Sequence, residues 1–330
     1  MRVRHNYIFI LVLLSGIWFK AQCQTIASQH SAITSSLTTD PVFESLNYKF
    51  QTHKMALSDG QTIAYIDEGK GTEAIILIHG LGSYLSAWDK NIPELSQKHR
   101  TIAIDLPGYG KSSKANVSVG MQSYAKAVLE LMDKLHLKES VLVGHSMGGQ
   151  VAITTALLAP DRVKKLVLAA PAGLETFSEQ QKQLFKLNVT PQSIQQTTPD
   201  QIRANFEINF YTVPVDAHQM LDERFLIMKS DQFSDYSKAV ATSVAAMLDE
   251  PVHHKLRQLN LPVLILFGHN DNLIPNKYFN PTLTTETIAE AGKKLIPNCQ
   301  TVILSEAGHF VQYEQPRAFN RAVVEFIKNK

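Results

Sequence analysis

The sequence is organised around residues 140–158, Ser-Val-Leu-Val-Gly-His-Ser-Met-Gly-Gly-Gln-Val-Ala-Ile-Thr-Thr-Ala-Leu-Leu. The stretch is apolar on both sides of a Gly-rich turn, which predicts a buried strand followed directly by a helix. The turn, Gly144-His145-Ser146-Met147-Gly148, matches the G-x-S-x-G pattern in the strand, turn, helix setting that gives this pattern its meaning. Because Gly144 and Gly148 lack a Cβ atom, the strand and the helix can approach closely. We therefore expect Ser146 on a strained turn with its hydroxyl group exposed.

Short apolar runs rich in β-branched residues occur on both sides of this stretch. They occupy residues 74–78, 101–104, 140–143, 165–169, 263–267 and 301–304, with helical patterns between them. Upstream, residues 49–57 and 61–65 flank Ser58-Asp59-Gly60 and predict a β-hairpin. Alternating strands and helices predict an α/β fold with a mostly parallel central sheet covered on both faces. In such sheets, ligands bind beyond the carboxyl ends of the strands.

Two further candidate catalytic residues follow strands of this series. Asp271 comes after the run 263–267, and His309 comes after the run 301–304. A serine hydroxyl is a poor nucleophile near neutral pH unless a base takes its proton, and that base needs a carboxylate to fix its tautomer. The pattern predicts a catalytic triad of Ser146, His309 and Asp271 at one edge of the sheet. Glu306, three residues before His309, is an alternative acid.

An oxyanion hole is predicted from two backbone N–H groups. The segment His79-Gly80-Leu81-Gly82 follows the run 74–78, and the N–H of Leu81 is expected to point at a carbonyl oxygen. Met147, at the amino end of the predicted helix, supplies a second N–H and a favourable helix dipole. We expect the side chain of His79 to brace this loop.

Five motifs together resemble the α/β-hydrolase superfamily and follow its usual order. They are His79-Gly80-Leu81-Gly82, Asp105-Leu106-Pro107-Gly108-Tyr109-Gly110-Lys111-Ser112, Gly144-His145-Ser146-Met147-Gly148-Gly149, Gly268-His269-Asn270-Asp271 and Gly308-His309-Phe310. The resemblance implies an α/β-hydrolase fold with Ser146 as nucleophile, His309 as base and Asp271 as acid. It also implies amide donors at Leu81 and Met147. A helical cap at residues 174–249 is implied as an insertion between the core segments 48–173 and 250–330.

The serine at this turn restricts the classes of reaction that the resemblance implies. Haloalkane dehalogenases and most epoxide hydrolases of this superfamily use a carboxylate nucleophile, whereas Ser146 suits attack on an activated acyl carbon. The expected reaction is hydrolysis of a carboxylic ester of a small, moderately hydrophobic substrate through an acyl-enzyme, with no cofactor. The expected substrate pocket contains His145, Phe206, Phe210, Phe225 and Phe310.

Two other functions remain open. Residues 200–211 and 170–173 resemble hydrolases that cleave carbon–carbon bonds in ring-fission products. Those relatives usually carry Asn and Trp where this chain has His145 and Phe310. Some members of the superfamily act as small-ligand receptors with weak hydrolase activity, and they keep the whole triad.

Composition restricts the classes of partner. With 44% apolar and 19% charged residues, the chain of 330 residues is ordinary globular protein, and its formal charge of +2 lacks the basic excess of a nucleic-acid binder. A small-molecule substrate is the expected partner, and the oligomeric state is left open. His253 and His254 are adjacent and cannot share one helix face, so we predict that they are surface residues. No metal site is expected.

The first 23 residues predict export. Arg2 and Arg4 precede the almost wholly apolar run 7–19, which is shorter than a membrane span and is typical of a signal peptide. Small residues at the two positions that a signal peptidase reads predict cleavage after Cys23. An uncleaved membrane anchor and a lipoprotein acylated at Cys23 are the alternatives. Residues 24–47 are predicted to form a tether, and the mature protein to be periplasmic or secreted without stable membrane insertion.

Overall fold

The computed structural model describes residues 40–329, in which eight strands form one sheet. The strands are β1 His53–Ala56, β2 Thr62–Glu68, β3 Ala74–Ile78, β4 Arg100–Ile104, β5 Ser140–His145, β6 Val163–Ala169, β7 Val263–Gly268 and β8 Cys299–Leu304. Their spatial order is β1-β2-β4-β3-β5-β6-β7-β8. β2 pairs antiparallel with β1 and with β4, and all the other neighbours are parallel. The predicted α/β fold with a mostly parallel sheet is confirmed.

Helices cover both faces of this sheet. They are α1 Pro41–Glu44, α2 Ile92–Leu95, α3 Met121–Lys134, α4 Met147–Leu158, α5 Glu179–Asn188, α6 Pro191–Gln195, α7 Pro199–Glu207, α8 His218–Ile227, α9 Phe233–Asp249, α10 Thr285–Leu295, α11 Val311–Glu314 and α12 Pro316–Lys328. Short 3-10 helices are Leu85–Trp88, Pro160–Arg162, Val215–Ala217 and His253–Gln258. No helix between residues 40 and 329 has both the length and the apolar character needed to cross a membrane.

Five of these helices, α5 to α9, lie between β6 and β7. Local capping explains where the first three begin. Ser178, Thr190 and Thr198 each accept a hydrogen bond from the backbone N–H three residues later, and the side chain at that position bonds back to the cap. This insertion occupies the part of the chain for which the sequence predicts a helical cap.

The core consists of two apolar layers, one on each face of the sheet. Side chains that alternate along a strand point to opposite faces. On β3, Ile76 and Ile78 therefore pack in the layer that includes α3 and α4, whereas Ile75 and Leu77 pack in the layer that includes α12. Strands buried on both faces are the reason for the continuous apolar runs in the sequence.

Residues 40–47 correct part of the predicted tether. The Asp40 carboxylate accepts a hydrogen bond from Val42 N at 2.7 Å, which caps α1, and another from Ser230 Oγ at 2.6 Å. Phe43 and Leu46 are buried in a cluster that includes side chains of the helical insertion. This end of the expected tether is packed because its few apolar side chains fill that cluster. The predicted signal peptide, with its alternatives, and residues 24–39 of the tether lie outside the described residues.

Candidate active site

Ser146 lies between β5 and α4 in a backbone conformation that residues with a side chain rarely adopt, with φ 53° and ψ −119°. Close backbone contacts explain the glycines beside it. A Cβ atom on Gly144 would lie 2.2 Å from the Gly148 carbonyl oxygen, and one on Gly148 would lie 2.3 Å from the Ile78 carbonyl oxygen. The G-x-S-x-G pattern is therefore required sterically on both sides of Ser146. The turn places this serine in the wall of a cavity.

His309 and Asp271 form a buried pair, and their positions follow from the sheet. Asp271 comes after β7 and His309 after β8, which are neighbouring parallel strands. The His309 Nδ1 atom lies 2.8 Å from Asp271 Oδ2, and the two side chains are 4% and 0% exposed. The other carboxylate oxygen accepts hydrogen bonds from the N–H groups of Leu273 at 2.8 Å and Ile274 at 3.0 Å. The held carboxylate directs Nδ1–H of the imidazole toward itself and leaves Nε2 as the basic nitrogen.

The alternative acid, Glu306, lies apart from this pair. It is exposed and has a positive φ of 53°. The His309 nitrogen that an acid would bind is already occupied by Asp271. The geometry favours Asp271 as the carboxylate partner.

Ser146 and His309 line the same cavity. Among residues 40–329, no hydrogen bond joins Ser146 Oγ to the His309 ring; such bonds often tighten only when substrate binds. His145 contacts His309 directly, because its Nε2–H donates to the His309 carbonyl oxygen at 2.9 Å and the two ring centroids lie 4.8 Å apart. Burial, and then the nearby His309, hold the pKa of His145 well below its usual value, so the His145 ring is neutral.

The residues that carry the two predicted amide donors lie near Ser146. Leu81 lines the cavity, and Met147 is the first residue of α4, where N–H groups have no acceptor within the helix. His79 braces the loop that carries Leu81: its Nδ1–H donates to the Gly80 carbonyl oxygen at 2.7 Å, and its Nε2 accepts from Leu106 N–H at 3.0 Å. Burial lowers the pKa of His79 to about 4, so this ring keeps the neutral form that both bonds require.

The cavity has a volume of about 640 Å³, and its wall corrects part of the predicted pocket. His145 and Phe310 line it, whereas Phe206, Phe210 and Phe225 do not. Phe206 and Phe210 are buried with ring centroids 5.0 Å apart, and Phe225 packs against the same core layer. These three rings pack into the core layer instead of the cavity wall, and there they stabilise the contact between the insertion and the core.

Several residues that the sequence analysis did not assign to the site also line the cavity. Glu175 is a partly buried carboxylate in its wall. His254 is exposed and His253 is half-buried, in agreement with the prediction that they are surface residues, and both also line the cavity. No sequence motif marks these positions; the 3-10 helix His253–Gln258 brings the two histidines to the wall. Within residues 40–329, no three His, Cys, Asp or Glu side chains are close enough to hold a metal ion.

Comparison with known proteins places this geometry in a family. A family model described as alpha/beta hydrolase fold matches residues 73–316. The dihydrolipoyllysine-residue acetyltransferase component of the acetoin cleaving system of Pseudomonas putida is 30% identical over 79% of this chain and 65% of that protein. The 2-hydroxy-6-oxononadienedioate/2-hydroxy-6-oxononatrienedioate hydrolase 1 of Pseudomonas putida is 29% identical over 80% of this chain and 91% of that protein. A thermophilic esterase from Thermogutta terrifontis superposes with a TM-score of 0.66 and 25% identity, covering 84% of this chain and 98% of the esterase. The family model spans well over half of the sequence, and the chain is therefore a hydrolase that belongs to the α/β-hydrolase fold family.

Proposed function

We propose that this hydrolase cleaves a carboxylic ester of a small, moderately hydrophobic substrate through an acyl-enzyme on Ser146. The proposal rests on one arrangement in the wall of one cavity. Ser146 lies there on a strained turn, and the His309 ring lies there with its Nδ1 atom 2.8 Å from the Asp271 carboxylate. An imidazole held in this way is the base that a serine hydroxyl needs.

The reaction then proceeds in two halves. Ser146 Oγ attacks the ester carbonyl carbon while Nε2 of His309 accepts the hydroxyl proton, and the Asp271 carboxylate stabilises the resulting imidazolium. The N–H groups of Leu81 and Met147 donate to the oxyanion; losing one such donor typically costs about 3 kcal/mol of transition-state stabilisation. His309 gives its proton to the departing alcohol. Water, deprotonated by His309, attacks the acyl-enzyme, releases the carboxylic acid and restores Ser146.

Cleavage of a carbon–carbon bond is the second candidate, because the relative from Pseudomonas putida is named as a hydrolase of a dienedioate. A dioate carries two negative charges. Apart from histidines, the charged side chains of the cavity wall are Glu175 and Lys182, and the Lys182 ammonium lies 2.6 Å from Glu179. A partly buried Glu175 carboxylate repels an anionic substrate, and the only lysine of the described wall already has a countercharge. The wall therefore favours an ester over a dianionic keto acid.

Hydrolysis of p-nitrophenyl butyrate by the wild type and by Ser146→Ala tests the proposed function. We expect the variant to lose more than about 10³-fold in kcat. Equal rates in the two proteins would rule out Ser146 as the nucleophile. A chromogenic dienoic keto acid separates the second candidate, since its colour fades only if the carbon–carbon bond is cleaved.

We also propose that the protein is exported and that α5 to α9 act as a cap over the cavity. Export is supported by the basic start and the apolar run 7–19 of the sequence. Mass spectrometry of the protein recovered from producing cells is expected to give an N-terminus at residue 24. A recovered chain that begins at Met1 would favour the uncleaved anchor.

A further inference from the structure

Glu175 is a carboxylate in the cavity wall that is bound only by neutral donors. Its Oε1 accepts hydrogen bonds from Asn276 N at 2.9 Å and from Asn280 Nδ2 at 2.7 Å, and its Oε2 lies 3.1 Å from Asn276 N. Burial raises the pKa of Glu175, the hydrogen bonds from Asn280 and Asn276 oppose this rise, and the charge of Asp271 adds to it. Lys277 opposes this effect, but its ammonium donates to the Leu283 carbonyl oxygen at 2.8 Å. Within residues 40–329, no ion pair reaches Glu175, and the carboxylate lacks a countercharge in contact.

Aromatic rings stand in the same wall. Phe177 and Phe185 line the cavity with their ring centroids 5.3 Å apart and their planes nearly perpendicular. Behind them, the Phe279 ring lies 4.8 Å from that of Phe185, and the next residue, Asn280, is a hydrogen-bond partner of Glu175. The negative face of an aromatic ring attracts a cation, and sets of such rings bind quaternary ammonium groups. The Glu175 carboxylate and the aromatic rings therefore both attract a cation such as an ammonium group.

We propose that the wall formed by Glu175, Phe177 and Phe185 binds an ammonium group of the substrate, so that the enzyme prefers esters carrying a quaternary or protonated amine. Glu175 supplies the countercharge, and the rings supply apolar contact with the N-methyl or alkyl groups. Lys182, the lysine of this wall, does not repel such a cation strongly because Glu179 is 2.6 Å from its ammonium. This substrate class deepens the ester hydrolysis proposed above and depends on it.

Charge-matched esters test the preference. On the acyl side, p-nitrophenyl 4-(trimethylammonio)butanoate is compared with its uncharged isostere, the 5,5-dimethylhexanoate, and with the anionic monoester of glutaric acid. On the alcohol side, acetylcholine is compared with 3,3-dimethylbutyl acetate. We expect kcat/KM to favour the cation by about tenfold or more in at least one pair, and the anionic ester to be the poorest acyl substrate. In Glu175→Gln, whose amide oxygen still accepts from Asn276 N, the preference should fall below about threefold.

Glu207→Gln is the matched control, because Glu207 is an exposed carboxylate of α7 outside the cavity wall. It removes the same charge and should keep the wild-type preference. A wild-type ratio near one in both pairs, with Ser146-dependent hydrolysis of the uncharged esters, overturns the ammonium site and leaves the proposed function intact. Loss of the preference in Glu207→Gln would also overturn the role given to Glu175.

Binding without turnover gives a second readout. Calorimetry with Ser146→Ala should detect benzyltrimethylammonium, and adding Glu175→Gln should weaken that binding about tenfold. Absence of binding to Ser146→Ala overturns the inference, even if esters are hydrolysed. If circular dichroism shows that Glu175→Gln does not fold, the wild-type kcat/KM ratios and the titration of Ser146→Ala with benzyltrimethylammonium still test whether the ammonium site exists.

Discussion

Replacing Asp271 by Asn tests how the candidate base is oriented. Two N–H groups, from Leu273 and Ile274, face Oδ1 of Asp271, whereas His309 Nδ1 faces Oδ2. In Asp271→Asn the single amide oxygen must accept from the two N–H groups, so that the amide nitrogen faces the imidazole. His309 then accepts at Nδ1 and carries its proton on Nε2, where it cannot take a proton from Ser146. The variant keeps its shape and loses the base.

The expected loss of kcat follows from the distance between His309 Nδ1 and Asp271 Oδ2. Unit charges 2.8 Å apart attract by about 6 kcal/mol at an effective dielectric constant of about 20. Because about 1.4 kcal/mol corresponds to a tenfold change in rate, we expect kcat for p-nitrophenyl butyrate to fall by about 10⁴. KM should change little, since Asp271 does not line the cavity. Steady-state kinetics at pH 7.5, together with urea denaturation to verify the fold, provide the measurement.

Glu306→Gln is the control, because it makes the same carboxyl-to-amide change at the alternative acid. Glu306 is exposed, and His309 Nδ1 is bonded to Asp271 instead. We expect kcat of this control within about twofold of the wild type. Retention of more than about a tenth of kcat in Asp271→Asn, or an equal loss in Glu306→Gln, would refute the assignment of the acid.

Three further substitutions test the surroundings of the site. His79→Gln removes a histidine whose pKa is about 4 in the folded protein and about 6.5 in the unfolded chain. Between these two pH values, only the unfolded chain binds a proton at this residue. The stability advantage of the wild type over this variant in urea denaturation should therefore shrink by about 3 kcal/mol as pH falls from about 6.5 to about 4, and a constant difference would count against a buried neutral ring. In Gly148→Ala, the new Cβ would lie 2.3 Å from the Ile78 carbonyl oxygen, so we expect about 1–3 kcal/mol of lost stability and at least about tenfold lower kcat. Gly60→Ala is the control: its φ of 86° strains an alanine, but its Cβ meets no atom within 4 Å, so we expect lower stability with unchanged kcat. Phe43→Ala should lower the free energy of unfolding by about 3–5 kcal/mol because the ring is 2% exposed, and an unchanged denaturation midpoint would contradict that packing.

Features that depend on the backbone could be predicted from the sequence. Residues 74–78 and 263–267 are apolar throughout because both faces of these strands are buried, so they are recognisable without knowledge of their partners. The glycines around Ser146 are recognisable for a similar reason, since the start of α4 approaches β5 at Gly144 and the end of β3 at Gly148 too closely for a side chain. Once the strands are ordered as a parallel sheet, residues that follow neighbouring strands meet at one edge.

The cavity wall could not be predicted in the same way. Phe185 lines the cavity and Phe206 packs into the core, yet both lie on short amphipathic helices of the same insertion. Which side of such a helix faces the cavity depends on how the helix lies on the sheet, and neither residue's neighbours in sequence determine that. Residues 40–47 raise the same difficulty, because the contacts that attach this mostly polar segment come from residues distant in sequence. Phe43 and Leu46 pack in a cluster with side chains of the insertion, and Asp40 accepts a hydrogen bond from Ser230 Oγ.

One loop connects the predictable and the unpredictable parts of the site. Between β7 and α10, the N–H groups of Leu273 and Ile274 hold the Asp271 carboxylate, and a few residues later Asn276 and Asn280 hold Glu175. The carboxylate that is proposed to orient the base and the carboxylate that is proposed to bind a cation are thus held by the same ten-residue segment, 271–280. A change in the backbone of this loop disturbs the hydrogen bonds of both carboxylates, and we therefore expect it to affect kcat together with the selectivity for substrate charge. Glu175→Gln leaves the backbone donors in place, and for that reason it separates the two effects.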